Sequence, residues 1–417
     1  MSFPSTAETP APSPPAPESA RPPQPRYYFV DNLRVFVIMM VLSHHAGNPY
    51  ASDGFWYFKI DPAEISPTVA QCIMLNPSFT MAILLIFSGF LVPASYNRRG
   101  FWEFVREKFI RLGIPLVLGG MVMLPLLQYY SFHQHWGYTG YTSFWQYYRE
   151  AWLGLGTMPE GWNGPGWPDR NLAHLWYIEH LLAYALIYAL WRVLFAPQRK
   201  TQRYLDSRPP GHRAIFLFAV GISLATFAVR IYCPYDKVYA LFGVLQIDMS
   251  HFPQWLPFFF VGLAAYRYNW LQTFPKETGY FWLRVAAALV ALNFLIRFTP
   301  AAPLLLSQEA HSAGLTVENF TKCVWESFFC TGAAVGLITL FREKMNWTTT
   351  LLGVLAVNAY AVHVFHPPMI VGWQYALEHL SIGSFVKYVL ATLLGIITCF
   401  AVSHYFIRRL PYAKRVL

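Results

Sequence analysis

The stretch Asp31-Asn-Leu-Arg34-Val-Phe-Val-Ile-Met-Met-Val-Leu-Ser-His44-His45-Ala-Gly-Asn48 reads as a membrane helix carrying an acid, an arginine and a histidine pair. Arg34 and His45 stand eleven residues apart. At ~100° per residue they point from one face, separated by ~16 Å along the axis, while His44 lies about 100° round. Only Val35 to Leu42 is unbroken apolar sequence, well short of the ~20 residues that a lipid-exposed span needs. Such a helix belongs inside a bundle that shields its polar groups, and ionisable side chains placed there are candidates for function. The same residues also suit an interfacial anchor, with Arg34 snorkelling to headgroups and the histidines at the far interface.

The rest of the chain supplies the bundle. Of 417 residues, 55% are hydrophobic and 12% charged, and apolar runs recur at approximately residues 71–95, 109–128, 172–196, 214–232, 252–268, 280–298, 323–341, 351–375 and 384–407. With the first helix these predict an all-α, polytopic transmembrane bundle of about ten spans over residues 26–417. Residues 1–25 hold nine prolines and no apolar core, which predicts a disordered cytoplasmic tail. The net charge of +10 falls in alternate loops, first at Arg98, Arg99, Arg106, Lys108 and Arg111, then at Arg192, Arg199, Lys200, Arg203, Arg208 and Arg213. The positive-inside rule makes those loops and both termini cytoplasmic, and accounts for the charge without nucleic acid. Five cysteines without ligand spacing predict neither a disulfide scaffold nor a metal site. Residues 129–171, crowded with Tyr, Trp and Gly, suit an interfacial aromatic belt or a surface for stacking sugar rings.

Further polar residues fall at span ends. Lys108 and Arg111 lie one turn apart with Arg106 close by, a cluster suited to a phosphate-rich ligand such as a nucleotide-bearing acyl-CoA, or equally to lipid headgroups. His174-Leu-Trp176-Tyr-Ile-Glu179-His180 opens the fourth span. An unpaired carboxylate at Glu179 would be costly there, so it should pair, protonate or face a cavity. His363 and His366 are neighbours on one helix, expected to hydrogen-bond within the bundle, with no carboxylate or Cys spaced to complete a metal set. Pro367-Pro368 should end or kink that helix. No P-loop, nucleophile elbow, H-E-x-x-H or dinucleotide fingerprint is present.

Taken together, Arg34 with His45, Phe87-Ser88-Gly89-Phe90, Lys108-x-x-Arg111 followed by Pro115, His174-Leu-Trp176, and Tyr360 with His366-Pro367 resemble the membrane acyltransferase 3 family over approximately residues 27 to 412. Tyr28-Phe-Val-Asp-Asn-Leu-Arg34, Arg111-Leu-Gly-Ile-Pro115, Leu256-Pro-Phe-Phe-Phe-Val-Gly262 and Asn358-Ala-Tyr360 are most similar to its osmoregulated periplasmic glucan succinyltransferase branch. The resemblance implies a multi-pass enzyme of the bacterial inner membrane that moves an acetyl or succinyl group from cytosolic acyl-CoA, a co-substrate and not a bound cofactor, to a hydroxyl of an extracytoplasmic carbohydrate or glycan. It implies His45 as catalytic histidine with Arg34 as its partner, and donor contacts from Lys108 and Arg111, to which the basic cluster adds Arg106 as an acyl-CoA-binding candidate. Where the family has Arg-x-x-Arg, this chain has Lys108, which keeps the charge but not the bidentate fork.

The residues themselves agree. An imidazole titrating near ~6.5 can take a proton from an acceptor hydroxyl. Arg34 is too distant to touch His45 on a straight helix, so it is expected to order the donor side, with Asp31, while Ser88, His174, Glu179, His363 and His366 support the site. Covalent acyl-histidine chemistry at His45 is the alternative mechanism. A carrier or flippase for a sugar or anionic substrate, using the same buried His and Arg without chemistry, is the alternative function.

Overall fold

Helix α1 (Tyr28–Ala51) is buried round most of its circumference, through Phe29, Leu33, Val35, Val37, Leu42 and Ala46. It is the shielded helix that its short apolar run demands. The computed structural model describes residues 27–51, 56–134, 141, 143–162, 167–195, 208–234, 238–241, 245–307 and 313–417. The Pro-rich tail and the basic residues Arg199, Lys200 and Arg203 lie outside the described residues.

Helix α2 (Pro67–Lys108) starts with Pro67 at its first position and the Ser66 side chain accepting from Val69 N–H, a proline start with a serine cap. At Gly100 the backbone turns to φ 74°, a conformation that favours glycine, so the two spans expected at 71–95 and 109–128 lie on either side of it. After π-helical turns at Phe109–Gly113 and Gly119–Met123 comes α3 (Leu124–Gln134). Further helices are α4 (Trp176–Phe195), α5 (His212–Arg230), α6 (Phe252–Arg267), α7 (Lys276–Ile296), α8 (Val317–Lys344), α9 (Thr350–Leu377), α10 (Ser384–Tyr405) and the short α11 (Ala413–Val416), with single helical turns at Phe144–Tyr147, Trp270–Thr273 and Pro303–Leu306.

Among the described residues seven helical runs are long and apolar enough to cross a membrane: Pro67–Ser131, Ala173–Phe195, His212–Arg230, Lys276–Ile296, Val317–Lys344, Thr350–Leu377 and Ser384–Arg409. The expectation of about ten is met as helices but not as ten qualifying spans. The first run holds two expected spans, α1 is too polar, and α6, with 16 residues, is too short. Helices α8 and α9 are central, with 67% and 61% of their most apolar windows buried, whereas α7 buries 22%. Where α2 crosses α6, Gly89 and Gly262 bring the backbones together, and a Cβ on either would strike the other helix's carbonyl. Small residues allow such close approach between membrane helices.

Two features depart from the expected pattern. The first is an antiparallel hairpin, β1 (Val238–Leu241) and β2 (Leu245–Asp248), within an otherwise helical chain. It is tied down by side chains: Gln246 N–H donates to the Glu179 carboxylate at 3.0 Å, and the Gln246 amide binds Arg170 O and Leu172 N–H. The second is α9, which runs unbroken through Pro367 and Pro368.

Two polar knots hold the end of the bundle opposite the first residue of α1. Between α5 and α8, Glu326 meets Arg230 at 2.8 Å and Lys322 at 3.6 Å, all nearly inaccessible. Above α3, Asp169 accepts from Gln128 at 3.1 Å and from the Tyr147 hydroxyl at 2.7 Å, with Tyr147 and Trp152 buried beneath and Trp145 turned outward. Burial pushes the Asp169 carboxyl up to about 7.

Removing the carboxylate that two buried cations share, as in Glu326→Gln, should cost about 3–5 kcal/mol, read as a lowered melting temperature in detergent. The fold favours protonated Asp169, so its contribution is complete below the ordinary value of 3.8 and is lost as the pH rises to about 7. Asp169→Asn should therefore flatten the pH dependence of hydrogen exchange in residues 143–162 between those limits. An unchanged slope would contradict the assignment.

Candidate active site

Four imidazoles meet where the C-terminal half of α1 and the middle of α9 face the start of α4. His45 stacks on His366 at 5.0 Å between ring centroids, His174 lies 4.7 Å from His366 and 6.2 Å from His45, and His363 lies 5.9 Å from His174. Trp56 covers the other face of His45, nearly parallel at 4.9 Å. His44 points elsewhere, to Ile73 O at 3.1 Å on α2, as the helical angle predicts.

The prolines explain how these rings are held. A proline inside a helix leaves the carbonyl four residues earlier without its N–H donor. At Pro367 that carbonyl is His363 O, which accepts from His366 Nδ1 at 2.9 Å; at Pro368 it is Val364 O, which accepts from His174 Nε2 at 2.9 Å. The same replacement keeps the helix running past the prolines, so the pair does not end it. In the neutral rings it also fixes both tautomers, because a carbonyl only accepts. His366 then presents Nε2, buried and without a hydrogen-bond partner, as a lone pair.

Three more prolines follow the rule. Pro49 frees His45 O, which accepts from Gln374 Nε2 at 3.1 Å; Pro77 frees Ile73 O for His44; Pro115 frees Arg111 O, which accepts from the Tyr360 hydroxyl at 2.6 Å. Gln374 does double duty, since its Oε1 accepts from Trp56 Nε1 at 2.8 Å. One buried amide thus sets both the end of α1 and the indole over His45.

At the other end of α1, Arg34 binds Asp31 at 3.1 Å and Ala356 O at 3.0 Å. Arg34 and His45 both face α9 and do not touch. Along α9 between them stands Tyr177 of α4, 5.4 Å from His363, with its hydroxyl 3.0 Å from Ser88 Oγ. Lys108 and Arg111 converge with Arg99 on one carboxylate, Glu107, at 3.3–3.5 Å. Arg106 turns outward to Glu103, away from this cluster. Glu179 is bound by the hairpin and is not part of the histidine group. Sequence spacing marked neither Trp56, Gln374, Tyr177 nor Glu107; Pro49, Pro115, Pro367 and Pro368 carried the available signal, as donors missing four residues on. Among the described residues no three His, Cys, Asp or Glu side chains are arranged to hold a metal ion.

A family model described as an acyltransferase domain matches residues 27–404. The chain is similar to "Glucans biosynthesis protein C" of Escherichia coli strain K12, 23% identical over 281 residues, 66% of this chain and 66% of that protein. It is also similar to the protein of that name from strain UMN026, 23% identical over 274 residues, 64% of this chain and 66% of that protein. The matched region thus spans just under two thirds of these relatives. No solved structure matches.

Restoring the missing donor tests the ring geometry. Pro367→Ala supplies an N–H that competes with His366 Nδ1 for His363 O. The helix should hold or gain stability, as proline costs ~3 kcal/mol in a helix interior, while nitrogen NMR of labelled histidine should show His366 passing from one tautomer to a mixture. A single unchanged tautomer would refute the assignment.

Proposed function

The chain belongs to the acyltransferase-domain family, and from that premise we propose that it is an integral-membrane O-acyltransferase passing an acyl group from acyl-CoA to a hydroxyl of a carbohydrate or glycan. In this reading both termini are cytoplasmic, ten helices traverse the bacterial inner membrane, and the donor enters at the mouth carrying Lys108 and Arg111. The observation that carries it is the division of α1: its Arg34 end adjoins the basic mouth, and its His45 end lies among imidazoles beneath Trp56. The printed name of the relatives, glucan biosynthesis, supports a glycan acceptor.

The chemistry follows from the ring positions. The acceptor oxygen attacks the thioester carbonyl as His45 removes its proton; the C–S bond breaks, and the imidazolium returns the proton to the leaving thiolate. His366, stacked on His45 with Nδ1–H anchored, keeps the ring in place and offers Nε2 as a neighbouring acceptor. Arg34 orders the donor side with Asp31, across the ~16 Å that an extended pantetheine arm would bridge. Ser88 and Tyr177 line the way, while Lys108 and Arg111 hold the phosphates.

The test is transfer of label from acetyl-CoA and from succinyl-CoA to glycan and lipid fractions of membranes. Wild type should transfer from one donor, and a folded His45→Ala should lose roughly 10²–10⁴-fold. Equal substrate movement by both, with no acylated product, would replace the enzyme by a carrier.

A further inference from the structure

The C-terminal segment builds a feature that the mechanism above does not use. A cavity of about 450 Å³ opens between the first turns of α9 and the end of α10, lined by Thr350, Val354, His404, Arg408, Arg409 and Lys414 among others, none of them acidic. Arg408 donates to Val357 O, which fixes its guanidinium against the α9 wall, while Arg409 and Lys414 are exposed. These cations rim a concave site within the usual size of a small-ligand cleft. The start of a 28-residue helix adds positive potential on the same side.

The elements that form the cavity also pack against the basic mouth. Helix α11, which carries Lys414, packs against the Phe109–Gly113 turn that carries Arg111. The α9 segment forming the cavity wall gives Tyr360 to Arg111 O and Ala356 O to Arg34. A ligand with several phosphates could therefore be held at once by Lys108 and Arg111 on one side and by the C-terminal cations on the other.

We infer that the cavity between α9 and α10 is a phosphate-binding cup, held by Arg408, Arg409 and Lys414, that receives the phosphorylated end of a ligand at the basic mouth. Resting on the function proposed above, that ligand is the phosphorylated nucleotide of the acyl donor; an anionic lipid headgroup offers the same chemistry. The cup contributes to donor affinity and not to the chemistry at His45.

The experiment uses the full chain in nanodiscs of zwitterionic lipid, titrated with adenosine 3′,5′-bisphosphate and with coenzyme A, for wild type, R409Q/K414Q and the charge-keeping R409K/K414R. The neutral pair should bind both nucleotides roughly tenfold more weakly and raise KM for acyl-CoA with kcat unchanged, whereas R409K/K414R should match wild type. Acyl transfer from an S-acyl pantetheine lacking the nucleotide should be the same in all three. In nanodiscs containing phosphatidylglycerol, native mass spectrometry reads the lipid source: loss of retained lipid in R409Q/K414Q with unchanged nucleotide affinity would overturn the donor assignment and give the cup to the headgroup. Unchanged binding of both ligands would overturn the cup itself. A wild type that binds nucleotide through these residues but transfers no acyl group would instead remove the catalytic reading and leave the cup standing.

Discussion

Carbonyl oxygens deprived of their helix donors by proline organise this protein's interior. In a bilayer core an unsatisfied backbone acceptor has no water to turn to, and at five of the prolines in these helices the freed carbonyl takes a side-chain donor instead. Here those donors are His366, His174, His44, Gln374 and Tyr360. The constraint works in both directions. The helix continues through residues that would otherwise break it, and rings that would otherwise have several rotamers and two tautomers are left with one of each. Rigid placement of imidazoles is thereby obtained from the backbone, without a carboxylate to orient them.

The charges are divided in a matching way. Arg34, Lys108, Arg111 and Arg99 are each held by a neighbouring acid or carbonyl at one end of the bundle. The imidazoles at the other end face one another, Trp56 and apolar side chains. Among the described residues no ion pair lies beside them, whereas the opposite mouth carries fixed cations. The Arg230–Glu326–Lys322 knot stands apart from both and secures α5 to α8.

Much of this was legible in the sequence. The positions of the helices, the common face of Arg34 and His45, and the need to shield α1 follow from periodicity and from the shortness of Val35–Leu42. The histidine group was legible only in pieces, because His45, His174 and His366 are joined by contacts across as many as 321 residues of chain, and no local rule pairs them. Glu179 was read as a polar group needing a partner, yet that partner is a backbone N–H in a hairpin whose strands are four residues long. The expected break at Pro367-Pro368 failed for the reason that makes the site: propensity counts the lost donor but not the side chain that replaces it.

The shielding of α1 has a consequence for how the chain is made. Asn32 donates to Met345 O and Trp347 O, and Gln374 to His45 O, so partners that hold both ends of the first helix lie more than 300 residues downstream. At about 5–20 residues per second of synthesis, α1 emerges on the order of 15–60 seconds before α9 exists to receive it. During that interval a segment with a short apolar run and several ionisable groups is a poor resident of lipid. Its final position is therefore an event of late assembly: α1 is locked in place, and the histidine group forms, only after α9 has been synthesised.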